Sequence, residues 1–66
     1  MKTKQIETGA SNLFRHGLAD ELGVSVMVAD AQWSGYSRQL SDREREEIES
    51  GGWVAGKRIA VEIKSL

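Results

Sequence analysis

The run from Leu40 to Leu66 constrains the fold most. It opens on Ser41-Asp42-Arg43-Glu44, a serine followed three residues later by a glutamate. This is the pattern of a helix start at which each of the two side chains bonds the other residue's backbone N–H. The stretch through Ser50 is highly charged, with Ile48 its only sizeable apolar residue, and Gly51-Gly52 interrupts it. Beyond Gly56, Ile59, Val61 and Ile63 alternate with Ala60, Glu62 and Lys64, the period of two that marks a half-buried strand. Helix, glycine turn and strand are therefore expected in that order.

The preceding residues extend this reading. Residues 1–8 carry only Ile6 as a sizeable apolar residue between polar neighbours and read as a loose tail or an edge strand, ended by Gly9. Ser11 can cap a helix over 12–22, where Phe14, Leu18 and Leu22 recur every four residues with Leu13 beside them. Gly23 stands at its end. Residues 24–31 are rich in β-branched side chains and read as a second strand, with Val24, Val26 and Val28 on one side. The Ser/Gly content of residues 32–40 reads as a loop. The expected fold is α+β: one small domain over residues 1–66, a two- or three-stranded, mainly antiparallel sheet with two helices, in the order (β)αβαβ.

Composition sets limits. A chain of 66 residues without cysteine has no disulfide or thiolate metal site to reinforce a thin core, so tight packing or a partner subunit must complete it. One His among no Cys excludes a zinc site of the usual kind. No segment approaches the roughly 20 apolar residues of a membrane helix, and a soluble, cytoplasmic protein is expected. The net charge of −1 selects neither nucleic acid nor an anionic membrane.

No catalytic residue, cofactor or metal ligand is expected. His16 and Asp20, four apart on a helix, read as a surface pair rather than a dyad. Gly51-Gly52 and Gly56-Lys57 lack the spacing of a phosphate loop. What remains is binding chemistry. Trp33, Tyr36 and Arg38 are residue types that dominate protein interfaces, whereas Trp53, just before the last strand, is expected in the core. Residues 42–49 hold five acids against two arginines, so Asp42, Glu46 and Glu49 can present a negative helix to a basic groove.

Two resemblances follow from particular residues. Leu18-Ala19-Asp20-Glu21-Leu22-Gly23-Val24-Ser25 resembles the first helix and turn of helix-turn-helix repressors, with a small residue at 19, glycine at the turn and serine opening the next helix. That family continues into a recognition helix with polar residues toward DNA and aliphatics behind. Here Val26-Met27-Val28 is continuously apolar and Gln32 occupies the later buried site, so the strand reading stands at that point. The second resemblance covers residues 40–63. Gly52-Trp53-Val54-Ala55-Gly56-Lys57-Arg58-Ile59-Ala60-Val61-Glu62-Ile63 is similar to the second half of the swapped-hairpin proteins of the AbrB and SymE type. It implies an obligate homodimer that binds nucleic acid through Arg38, Lys57 and Arg58.

The favoured expectation is a small non-catalytic module that binds another protein, an inhibitor or adaptor of the kind mobile elements and phages encode. Its surface would be Trp33, Tyr36, Arg38, Asp42, Glu46 and Glu49. The alternative is the dimeric nucleic-acid-binding regulator that the second resemblance implies.

Overall fold

The computed structural model describes the backbone from Thr3 to Leu66 and the side chains from Ser11 onward. The described residues form helices throughout, with no strand: α1 (Thr3–Leu22), α2 (Val26–Tyr36), a short 3-10 turn (Ser37–Gln39), α3 (Asp42–Glu49) and α4 (Gly52–Lys64). The α+β expectation is therefore wrong, and its strands are helices for identifiable reasons.

Of residues 1–8, expected as a tail or edge strand, 1 and 2 lie outside the described residues and 3–8 are the first turns of α1, so Ser11 lies inside that helix rather than at its cap. Residues 24–31 were expected as a strand because valines alternate there. Helical spacing runs through the same segment: Ala29 and Trp33, four apart, are buried, and Val26 packs against the core from one turn earlier. Met27 and Val28 face solvent. The Ser25 side chain accepts from the Val28 backbone N–H at 3.2 Å, which caps α2. The helix then continues through residues 32–36, which had read as a loop.

The final segment resolves the same ambiguity. Gly52, Gly56, Ile59 and Ala60 are buried and Ile63 is half-buried, a stripe at intervals of four, three, one and three. That is one face of a helix. Val61, which the alternating pattern placed beside Ile59 and Ile63, is half exposed. The strand that underlies the resemblance of residues 40–63 to the swapped-hairpin proteins is thus α4.

At α3 the expected start is present. Ser41 Oγ accepts from the Glu44 N–H at 3.1 Å, and Glu44 Oε1 accepts from the Ser41 N–H at 2.9 Å. No residue of α3 is fully buried.

The core lies where α1 crosses α4 and α2. Phe14, Leu18, Ala19, Ala29, Trp33, Ile59 and Ala60 form it, with Leu22, Leu40, Ile48 and Ile63 packed around them. Phe14 meets Trp33 edge-on at 4.8 Å between ring centroids, a geometry that places the positive ring edge over the negative face. Two glycines let α1 and α4 approach closely. A Cβ at Gly17 would collide with the Trp53 carbonyl, and one at Gly56 with the Phe14 carbonyl. The crossing has no room for a larger residue at either place.

Candidate functional site: the outer face of α2

Gly23 directs the turn from α1 into α2. Its φ of +71° is open to glycine at little cost, and its N–H donates to the Ala19 carbonyl at 2.8 Å. Ser25 then opens α2. The segment after Ser25, expected as a strand, is a helix. Gln32, at the position that the helix-turn-helix pattern buries, is exposed, and its neighbour Trp33 is buried.

The outer face of α2 presents Met27, Val28, Ala31, Gln32, Ser34 and Gly35 to solvent. Met27 is 80% exposed. Asp30 is the one charged residue of α2, and Arg15 of α1 neutralises it through Nε at 2.7 Å. Gln32 on the helix and Arg38 and Gln39 beyond it share the rim of a shallow depression of about 490 Å³ with Ile63 and Leu66. Arg38 and Arg43 are exposed and have no ion-pair partner among the described residues. The site is thus an uncharged helix face with Arg38 just past its C-terminal end.

The residues singled out from the sequence divide into three groups. Trp33, Tyr36 and Glu49 are brought together, but as structure. The Trp33 indole N–H donates to Glu49 Oε2 at 2.7 Å and ties α2 to α3. Tyr36 stacks on Trp33 and donates its hydroxyl to Glu62 Oε1 at 2.7 Å, which pushes the phenol pKa above its usual value. Trp33 is only 3% exposed, so it is not a contact surface; Trp53, expected in the core, is 42% exposed. The two tryptophans have exchanged their expected places, because helical rather than strand geometry decides which faces inward.

Asp42 and Glu46 are exposed on α3, and Asp42 accepts from Arg45 at 2.7 Å. They remain available as a surface, without the aromatic residues expected beside them.

Arg38, Lys57 and Arg58 are dispersed. Lys57 faces α1, where its ammonium contacts Asp20 at 3.1 Å and Glu21 at 3.3 Å and lies 4.7 Å from the centre of the Trp53 ring. These carboxylates, Asp20 first, raise its pKa. Lys64 reaches Glu21 at 3.0 Å, and together with Lys57 it holds that carboxyl below the usual value of 4.5. Arg58, next along α4, lines a cleft against α3 instead. Asp20 thus binds Lys57 rather than His16. Among the described residues no three His, Cys, Asp or Glu side chains converge as metal ligands, and no helix is long and apolar enough to cross a membrane.

The exposed face of α2 is the feature that residue-type reasoning missed. Its signal was present in the helical spacing of Ala29 and Trp33 around the Ser25 cap. Comparison with known protein families, curated proteins and solved structures finds no match to this chain.

Proposed function

We propose that the chain is a non-catalytic, cytoplasmic nucleic-acid-binding module of helix-turn-helix type, with α2 as the element that enters the major groove. One observation carries this reading: α1, the Gly23 turn and the Ser25-capped α2 follow one another as helix, turn and helix, with Leu18, Ala19 and Ala29 buried behind them. An uncharged reading face is compatible with base contact. Gln32 carries the amide that pairs with adenine, and Met27, Val28 and Ala31 are apolar groups suited to thymine methyls. Arg38 and Arg43 supply phosphate contacts. The cation set differs from that expected from the swapped-hairpin resemblance: Lys57 is committed to α1, and Arg58 lies in the α3–α4 cleft.

Near-neutral charge makes non-specific binding weak. With two such cations per copy, the logarithm of affinity should fall with that of salt with a slope of only about −2. The test is selection from a random duplex library with the purified chain. Convergence on a short motif is the expected result. Duplexes recovered no better than from bare resin at low salt would refute the reading.

A second reading, the protein-binding inhibitor or adaptor, is supported by the lack of any cation on α2 and by the net charge of −3 over residues 42–49. In that case Met27 and Val28 would be the apolar contacts, and Asp42 and Glu46 the acidic ones. A protein retained by the tagged chain after nuclease treatment, and lost on Met27→Asp, would favour it over the first.

A further inference from the structure

The described chain leaves much apolar surface uncovered. Four large apolar side chains are buried (Phe14, Leu18, Trp33 and Ile59), whereas seven are exposed, among them Trp53, Val54 and Val61 along α4. Between α3 and α4 lies a cleft of about 530 Å³, walled by Leu40, Ile48, Ala55 and Ile59, with Val54 also lining it at 65% exposure. The same surface therefore carries both an exposed apolar side chain and an apolar recess.

The charges at its rim are of both signs. Glu62 is already engaged by the Tyr36 hydroxyl. Arg58 and Glu47 line the cleft and have no ion-pair partner among the described residues.

We propose that this cleft is a self-association surface: two copies meet about a two-fold axis, Val54 of each enters the cleft of the other, and Arg58 of each pairs with Glu47 of the second copy. A two-fold interface must be complementary to itself, because one patch meets its own copy. An exposed apolar side chain beside a recess, and a free cation beside a free anion, meet that requirement together. A uniformly basic or acidic partner would satisfy one of the two charges and oppose the other. A standard interface takes about 800 Å² from each partner, a modest share of the 4446 Å² this chain exposes. The inference does not depend on what α2 binds.

Sedimentation equilibrium over a concentration series tests it. Wild type should populate a monomer–dimer equilibrium. Arg58→Glu and Glu47→Arg, both at exposed positions, should each raise the dimer Kd roughly tenfold or more through like-charge contact. The double reversal restores opposite charges across the axis and should bring the Kd back toward wild type, with helicity by circular dichroism unchanged throughout. A wild type that is monomeric at every concentration would overturn the proposal. So would single reversals without effect, or a double reversal as weak as the singles.

Discussion

Gly56 of α4 sits directly on the Phe14 carbonyl of α1, and Gly17 of α1 sits on the Trp53 carbonyl of α4. Each glycine faces backbone, which cannot rotate aside as a side chain can. Two effects oppose each other if alanine is introduced. Helix propensity favours alanine by about 1 kcal/mol, whereas overpacking costs about 1–3 kcal/mol and sometimes more. Against a carbonyl the steric cost wins, so Gly56→Ala should lower unfolding free energy in urea by about 1–3 kcal/mol. Gly35→Ala is the control. Its Cβ would meet nothing within 4 Å, so only the propensity effect acts and stability should rise, by up to about 1 kcal/mol.

The Trp33–Glu49 bond is a charge-assisted contact from a buried indole, at 2.7 Å. Deleting the acceptor leaves a polar N–H in a largely apolar site, which costs about 1–3 kcal/mol. Glu49 is itself half-buried, so water can replace part of that loss. Glu49→Ala should therefore destabilise by about 1–2 kcal/mol, and Glu49→Gln, which keeps an acceptor oxygen, by less. Chemical denaturation reads both. Tryptophan emission gives an independent check: Trp53→Phe should leave a blue-shifted spectrum from Trp33, and equal shifts for the two single-tryptophan variants would contradict their assigned burial.

Stability should fall at both extremes of pH. Lys64 and Lys57 hold the Glu21 carboxyl below 4.5 in the folded chain. A depressed carboxyl contributes stability above its unfolded value, and that contribution is lost as pH falls through the folded one. Lys57 is raised above 10.5 by Asp20 and Glu21, and Tyr36 above 10.0 by Glu62. Both hold a proton more tightly when folded, so their contributions are present below those ordinary values and vanish as pH rises through the raised ones. Thermal melts should thus show a plateau between the acid and alkaline limbs. Glu21→Gln should make the acid limb shallower, and Tyr36→Phe the alkaline one. An unchanged acid limb in Glu21→Gln would mean that the lysine contacts do not stabilise the fold.

Legibility in the sequence followed how local the determining interaction was. The Ser41–Glu44 capping box and the Gly23 terminus are each settled within a few residues, and both were readable. Residues 58–64 were not, because Ile59 and Ile63 satisfy a period of two and a four-residue helical step alike. What separates them is the buried stripe that Gly52 and Gly56 extend backward, Gly56 being the glycine that admits the backbone of α1. That is tertiary information. The candidate site was misjudged for the same reason. The Ser and Gly neighbours of Trp33 and Tyr36 read as a loop, yet Ala29 and Trp33 place this segment on a helix and turn the indole inward.

The last prediction separates base contact from phosphate contact on α2. Gln32 is exposed on the helix, whereas Arg38 lies beyond its end in the 3-10 turn. If α2 reads a duplex, the two must fail differently. Gln32→Ala removes a hydrogen-bonding amide and leaves charge unchanged. It should weaken binding to a selected duplex by about 1–3 kcal/mol, spare unrelated duplexes and leave the salt slope intact. Arg38→Ala removes one phosphate contact. It should weaken selected and unrelated duplexes alike and reduce the magnitude of the salt slope by about 1. Lys57→Ala is the internal control, since its ammonium is already shared by Asp20 and Glu21 on α1; it should lower melting temperature while leaving the slope unchanged. Fluorescence anisotropy on labelled duplexes over a salt series measures all three. A slope that responds to Lys57→Ala and not to Arg38→Ala would remove α2 and its flank from the binding surface and return the cations of α4 to it.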